Sequence, residues 1–315
     1  MRADMVVLTQ PPVDDDLGLL DRGEPFAIEH LAAQRTVEAL VVAVRPTIDS
    51  PDRLLNGLTP RVSARALVTP SPFNRLTAKQ SGQPPFLGSN DPETPMQPEF
   101  WHERWERGET GWHLDEINLH LREHWPGLGV DAGVRVLVPM CGKSLDLLWL
   151  AGEGYRVLGV EISPLAVEGF FTDHGLAPIV TDQPPFRRYR LDELEILCGD
   201  FFDLKAAHLE GVSAVYDRAS LIALPPEIRP RYARHLQALL APHTRLLLIT
   251  LDYEQTEMGG PPFSVSEAEV QELLGERFDV RPLAAVDVWA ENPRFRERGL
   301  SRLWERVFAL RPLET

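Results

Sequence analysis

The chain has 315 residues, of which 25% are charged and 43% are hydrophobic, as in an ordinary soluble globular protein. Its formal net charge of −15 is unfavourable for non-specific binding to nucleic acids or anionic membranes. No apolar run approaches the roughly 20 residues of a membrane span, and the acidic N-terminus is no signal peptide. We therefore predict a cytoplasmic protein without nucleic-acid or membrane partners.

Two cysteines, Cys141 and Cys198, are present, and neither has a metal-ligand spacing. No metal site is predicted, and a reducing compartment is the simplest setting.

The chain divides by composition near residue 95. Residues 1–95 are rich in proline, and their one amphipathic segment, between Pro25 and Pro46, cannot form a core alone. We predict that residues 1–95 are a mostly disordered N-terminal extension and that residues 96–315 form the folded domain.

The folded domain begins with an aromatic segment over residues 99–112. Trp101 and Trp105 are four residues apart, so a helix places them on one face. A second helix is predicted over Asp115–Trp125. Packing against a sheet is the usual role of such tryptophans.

The next stretch has the pattern of strand, helix and strand. Branched apolar runs predict buried parallel strands at Val134–Val138 and Tyr155–Val160, and helical spacing predicts a helix over Ser144–Glu153. Ligands of open α/β sheets bind at the carboxyl ends of the strands. The turn at 139–142 and the acidic residue Glu161 both lie there.

Glu161 follows this turn by about 20 residues, the spacing at which an acidic residue binds ribose hydroxyls. A carboxylate accepts two hydroxyl hydrogens at once and so suits a vicinal diol. The alternative is an exposed acid at a strand end. The complete strand–helix–strand unit favours the ribose contact.

The turn itself lacks a phosphate cradle. Gly142, Lys143 and Ser144 look like the end of a P-loop, but Leu137 stands where that loop needs glycine, and the G-x-G-x-x-G fingerprint is absent. A single glycine fits a nucleoside without a pyrophosphate, and S-adenosylmethionine is the common ligand of this kind. Its sulfonium is a cation that tryptophan faces attract, so Trp105 is a candidate contact.

Two further strand ends carry candidate residues. Asp200 and Phe201 follow a strand at Leu194–Cys198, where the acid can accept from an adenine amino group and the ring can pack on adenine. A helix cap is the alternative role for Asp200. Arg218 follows a strand at Val212–Tyr216, with a surface salt bridge as its alternative role.

The remaining elements are predicted from periodicity and breakers. They comprise helices at Pro164–His174, Glu227–Leu240 and Ser266–Leu274, strands at Arg245–Leu251, Phe278–Val286 and Leu303–Leu310, and loops at Pro178–Arg190 and Asp252–Pro262.

From Pro98 onward the chain resembles the thiopurine S-methyltransferase family, especially its bacterial members. The stretches that carry the resemblance are FWHERWERGETGWH (100–113), VLVPMCGKSLDLLWLAGEGYRVLGVEIS (136–163), CGDFFDL (198–204), YDRASLIALPPEIRPRY (216–232) and DYEQTEMGGPPFSV (252–265). The resemblance implies a Rossmann-like class I S-adenosylmethionine-dependent methyltransferase fold: a seven-stranded, mostly parallel sheet with an antiparallel last strand. Residues 1–95 have no counterpart in the family core, which suggests a dispensable tail or an over-long start assignment.

The resemblance also implies site residues. Donor contacts are expected at Trp105, Met140, Glu161 and Arg218, to which the strand-end pattern adds Asp200 and Phe201. Met140 stands where the family more often has leucine, and both residues can pack against the ligand. In animal members, an arginine at the place of Arg218 and another near the C-terminus lie close to the thiopurine. The second maps to Arg294 by loose alignment.

The expected reaction is in-line transfer of a methyl group from the sulfonium to a sulfur nucleophile, and the enzyme mainly needs to hold donor and acceptor aligned. An arginine near the acceptor favours its anionic form. No proton acceptor is predicted, and Cys141 is interpreted as a packed residue rather than a nucleophile, since no histidine partner is evident nearby in sequence.

Three functions from different classes are compared. The leading one is a methyltransferase for thiols, thiopurines or small selenium and tellurium compounds, with a role in metalloid detoxification. The alternatives are a nicotinamide-dependent oxidoreductase, which the missing fingerprint disfavours, and a nucleoside-binding sensor or interaction protein without turnover. A monomer is the expected oligomeric state.

Overall fold

The structure, a computed structural model, describes residues 98–313, so the predicted extension over residues 1–95 lies outside it. Nine strands of this part of the chain form one sheet. They are β1 Arg135–Pro139, β2 Arg156–Glu161, β3 Ile179–Gln183, β4 Phe186–Leu191, β5 Leu194–Cys198, β6 Val212–Asp217, β7 Arg245–Asp252, β8 Phe278–Asp287 and β9 Trp304–Pro312.

Eight α-helices accompany the strands within residues 98–313. They are α1 Pro98–Glu106, α2 Leu119–His124, α3 Asp146–Gly152, α4 Pro164–Asp173, α5 Ser220–Ala223, α6 Arg229–Leu239, α7 Glu267–Leu274 and α8 Pro293–Glu297. In this part of the chain, none is long and apolar enough to cross a bilayer.

The strand order is β3-β4-β5-β2-β1-β6-β7-β9-β8. Strands β5, β2, β1, β6 and β7 are parallel. The last strand, β9, lies antiparallel between β7 and β8. The seven strands β5-β2-β1-β6-β7-β9-β8 therefore confirm the predicted mostly parallel sheet with an antiparallel last strand, and β3 and β4 extend it to nine strands.

The predicted loop at Pro178–Arg190 is wrong, because this segment forms the hairpin β3–β4, which pairs with β5 and extends the sheet to nine strands. Its sequence is polar because β3 is exposed throughout and β4 buries only Phe186 and Tyr189. Charged side chains are typical of such sheet edges and weaken the apolar pattern that identifies buried strands.

Local capping sets the helix ends. The hydroxyl of Ser163 accepts a hydrogen bond from the N–H of Ala166 at the start of α4, where Pro164 is the first helical residue. Ser266 caps α7 in the same way, by accepting from the N–H of Glu269. The helix predicted from Asp115 begins later, because the Asn118 side chain accepts from two backbone N–H groups of the first turn of α2.

The main core lies on both faces of the parallel strands. Strands β1 and β2 are buried along nearly their whole length, which explains their continuous branched apolar sequences. Because neighbouring parallel strands all end at one edge, the residues that follow β1, β2, β5 and β6 converge there. We call this edge the donor crevice.

Candidate active site

Glu161, the last residue of β2, is buried, with 6% of its surface exposed. Its Oε2 accepts a hydrogen bond from the N–H of Gly142 at 2.8 Å, and its Oε1 accepts from the N–H of Ser163 at 2.8 Å. The alternative of an exposed acid at a strand end therefore does not hold. Each oxygen retains a second acceptor position, so the carboxylate can still receive hydroxyl hydrogens.

The environment of Glu161 affects its protonation. Burial raises the pKa of its carboxyl above the ordinary value, while the N–H groups of Ser163 and Gly142 and the charge of His102 oppose this rise. The backbone donors favour the ionised form, which is the form that accepts hydrogen bonds from a diol.

The turn after β1 is built from left-handed backbone. Met140 has φ of 48° and Gly142 has φ of 54°, and the N–H of Cys141 donates to the carbonyl of Val160 at 3.0 Å. Positive φ at Met140 is unusual for a residue other than glycine. The turn thereby presents the half-buried Met140 at the crevice.

Trp105 on α1 lies against this turn. A Cβ placed on Gly142 would lie 3.4 Å from Cζ2 of the indole, so glycine permits the close approach. Trp105 packs edge-to-face on Trp112, with centroids 6.0 Å apart, and Trp101 packs on the same ring at 5.5 Å. The ring nitrogen Nε2 of His102 lies 3.1 Å from the carbonyl oxygen of Ile162. Helix α1 is thus fixed over the turn and the end of β2.

Asp200 follows β5 and caps a short 3₁₀ turn. Its Oδ1 accepts from the N–H of Phe202 at 2.9 Å, so the capping role considered for Asp200 is present. The ring of Phe201 is buried in the core, where it packs on Tyr232 at 4.9 Å between centroids. Its neighbour Phe202 is less buried and lies beneath the guanidinium of Arg231, 3.9 Å from the ring centroid.

Arg218 follows β6, whose end is held firmly by Asp217. The buried Asp217 carboxylate accepts from the N–H of Ser220 at 3.0 Å and from the hydroxyl of Tyr232 at 2.6 Å. Arg218 is half-buried, and within residues 98–313 it makes neither a hydrogen bond nor an ion pair. The surface salt bridge considered as its alternative role is therefore not found among the described residues.

Arg294 on α8 approaches the segment that follows α1. A Cβ placed on Gly111 would lie 3.4 Å from Nη1 of Arg294. The guanidinium of Arg294 lies 4.8 Å from the ring centroid of Phe295. Loss of water lowers the pKa of Arg294, although the residue stays partly exposed, and the charges of Arg298 and Arg218 lower it further. Arg218 and Arg294 are thus close enough for their like charges to interact.

Cys141 does not behave as a nucleophile. Burial raises the pKa of its thiol well above the ordinary value, and the charge of Glu161 raises it further. Burial and the same carboxylate raise the pKa of Cys198 to about 11. Both thiols are free and buried. A protonated thiol is a poor nucleophile, which agrees with a packing role.

Some residues at the crevice were not predicted. Burial lowers the pKa of His113, and the charges of Lys143 and Arg218 lower it further. Tyr253 and Gln255 organise the loop after β7 by hydrogen bonds to backbone atoms of that same loop. Histidine, tyrosine and glutamine in loops carry no spacing signal that identifies them from sequence.

A family model described as thiopurine S-methyltransferase (TPMT) matches residues 96–312. A thiopurine S-methyltransferase of Pseudomonas fluorescens (strain Pf0-1) is 54% identical over 216 residues, covering 69% of this chain and 99% of that protein. A thiopurine S-methyltransferase of Nitrosospira multiformis is 55% identical over 215 residues, which cover 68% of this chain and 98% of that protein.

Solved structures of similar shape include an S-adenosylmethionine (SAM)-dependent methyltransferase from Anabaena variabilis. The superposition of the two chains has a TM-score of 0.48 and a sequence identity of 12%. It covers 70% of this chain and 97% of the Anabaena chain. Membership of the family is shown by the sequence relatives. It supports methyl transfer and disfavours the two alternatives, a nicotinamide-dependent oxidoreductase and a nucleoside-binding sensor. The chain belongs to the thiopurine S-methyltransferase family and is an S-adenosylmethionine-dependent S-methyltransferase.

Proposed function

We propose that Glu161, Trp105, Met140 and Arg218 hold the methyl donor in the donor crevice. The donor set fits the ligand: a buried carboxylate suits a ribose diol, and an indole beside a glycine turn suits a sulfonium. When bound, S-adenosylmethionine supplies an electrophilic methyl group. One carboxylate oxygen of Asp200 caps the 3₁₀ turn, and the other can accept a hydrogen bond from the adenine amino group. The buried ring of Phe201 supports this turn from the core.

We propose that Arg218 and Arg294 orient the acceptor. Two arginines whose charges interact, one of them without an ion pair in the described part of the chain, form a local positive region in a protein of net charge −15. This single observation supports an acceptor that is anionic when it reacts. A positive charge nearby lowers a thiol's pKa, so the thiolate forms at neutral pH without a general base.

The acceptor class proposed is small thiols, thiopurines, or selenium and tellurium compounds. Trp101, Trp105 and Trp112 form an aromatic wall that excludes water from the reacting groups. The two buried free thiols agree with a reducing, cytoplasmic setting, and we propose a monomer.

A substrate panel tests this proposal. Purified protein is incubated with donor labelled in its methyl group and with thiopurines, aliphatic thiols, selenite-derived and tellurite-derived species. We expect label transfer to anionic sulfur or selenium acceptors and little transfer to neutral hydroxyl or amine acceptors. Equal transfer to neutral amines would contradict the proposed role of the arginines.

A further inference from the structure

Helix α2 contains three residues whose side chains can bind a metal ion, namely His120, Glu123 and His124. They are not part of the donor crevice. They lie in the segment HLREH, in which His120 and His124 are four residues apart and therefore on one helix face. Their rings are stacked, with centroids 5.8 Å apart and an interplanar angle of 22°. One ring nitrogen of each histidine and one carboxylate oxygen of Glu123 all lie within 4.8 Å of one another.

His120 is 8% exposed, and one of its ring nitrogens contacts a carboxylate on β9. Its Nε2 lies 3.1 Å from Oε2 of Glu305 on β9. An ionised carboxylate only accepts hydrogen bonds, so the neutral imidazole tautomer that donates from Nε2 to Glu305 leaves the Nδ1 lone pair for a metal ion. That Nδ1 is buried and has no hydrogen-bond partner among the described residues.

His124 has a second such nitrogen. Its Nε2 is also buried without a hydrogen-bond partner in residues 98–313. The nearest charged atom recorded for it, Oε2 of Glu123, is 3.8 Å away, which exceeds hydrogen-bond distance. Buried polar atoms are almost always partnered, and two unpartnered imidazole nitrogens on one helix face can share a single partner.

We propose that His120, Glu123 and His124 bind one Zn²⁺ ion. Imidazole nitrogen and carboxylate oxygen are ordinary zinc ligands, with bonds of about 2.0–2.2 Å. Glu305 holds the outer nitrogen of His120, the arrangement that commonly orients a metal-binding histidine. The Glu123 side chain is 70% exposed and free to rotate onto the ion, and water can complete the coordination from that side.

The expected role is stabilisation rather than catalysis. Through His120 and Glu305 the ion would tie the short helix α2 to β9. Among the described residues, no hydrogen bond or ion pair joins the three ligands to Trp105 or Glu161. An ion that binds only the folded state raises the melting temperature.

Direct titration tests the proposal on the full chain. Protein stripped with a chelator is titrated with Zn²⁺ against a chromophoric competitor, and Co²⁺ is added separately to record its visible absorption bands. The variants are His124→Gln, Glu305→Gln and, as a matched control, His174→Gln. His174 follows the last residue of α4, and its Nδ1 lies 2.7 Å from the carbonyl oxygen of Phe170.

We expect one Zn²⁺ per chain, a higher melting temperature with Zn²⁺, and unchanged binding in His174→Gln. Glu305→Gln should weaken binding roughly 10- to 100-fold, as for other outer partners of metal-binding histidines, and His124→Gln should weaken it more. The Co²⁺ bands should disappear in His124→Gln. Absence of Zn²⁺ binding in the wild type, or wild-type affinity in a folded His124→Gln, would overturn the proposal.

Discussion

The carboxylate of Glu161 accepts a hydrogen bond from the backbone N–H of Gly142 at 2.8 Å. This contact joins the end of β2 to the turn after β1, so the residue proposed to bind ribose also shapes the turn beside it. A change in either residue is therefore expected to affect the donor crevice.

Gly142→Ala should weaken donor binding as well as the fold. Alanine at φ of 54° is strained by about 1–2 kcal/mol, and its Cβ would approach Trp105. Gly108→Ala is the matched control, because Gly108 has φ of 67° and no atom within 4 Å of a Cβ. Both variants should lose similar stability in urea unfolding, whereas only Gly142→Ala should bind S-adenosylhomocysteine more weakly by calorimetry. Equal donor affinity in the two variants would show that the indole does not border the ligand.

Trp105→Leu should lower donor affinity by about tenfold, since an indole beside a cation contributes roughly 0.5–2 kcal/mol. Trp101→Leu provides the comparison, because Trp101 packs on Trp112 as Trp105 does but is not the residue that approaches Gly142. The measurement is the dissociation constant of S-adenosylmethionine and of its neutral product. The Trp105 variant should lose more affinity for the charged donor, and an equal loss for both ligands would exclude a cation–π contact.

Donor binding should weaken at acidic pH. Burial raises the pKa of Glu161, and only the ionised form accepts from both ribose hydroxyls, so affinity should fall as pH drops through this raised value. A carboxyl whose folded-state pKa exceeds its unfolded value is stabilising when protonated and loses that contribution as pH rises. Protonation of Glu161 should therefore weaken binding without unfolding the chain. Calorimetry across pH should show this loss in the wild type and a flat profile in Glu161→Gln.

Arg218→Gln should lower kcat/KM for the acceptor by at least about tenfold, or roughly 1.4 kcal/mol of transition-state stabilisation. The defect should shrink for acceptors that are already ionised at the assay pH, because the arginine is then no longer needed to favour the thiolate. Arg231→Gln is the control, since Arg231 lies over Phe202. A defect that is independent of the acceptor's pKa would assign Arg218 to the donor alone.

Removal of residues 1–95 should leave methyl transfer intact. The relatives align over 215 or 216 residues that make up 98–99% of their own length, and the family model begins at residue 96. A chain that starts at Met96 should have wild-type kcat/KM and melting temperature. Loss of folding or of activity would refute the prediction that this extension is dispensable.

The parallel half of the sheet could be predicted from sequence because buried parallel strands are continuous apolar runs, as in β1 and β2. The edge hairpin could not, since exposed β3 has no buried face to impose alternation. The start of α7 could be predicted because its signal, Ser266 followed three residues later by Glu269, is local.

Strand pattern identified candidate site residues only where they follow a strand, whereas Trp105 on α1 came from the family resemblance and the chemistry of indole. Glu161 and Arg218 occupy such positions, whereas the place of Arg294 depends on how α8 meets Gly111, a contact between distant segments. The zinc site proposed on α2 could not be inferred from sequence, because the unpartnered nitrogens and Glu305 become evident only after folding.

The central claim is that Glu161 binds the ribose diol of the donor. The most direct test is a double-mutant cycle by calorimetry, with S-adenosylhomocysteine and its 2′-deoxy form against wild type and Glu161→Gln. A hydrogen bond to a charged group contributes about 1.5–3 kcal/mol, so the wild type should lose roughly tenfold or more in affinity for the deoxy ligand. In Glu161→Gln that loss should nearly vanish, and the same loss in both proteins would contradict the claim.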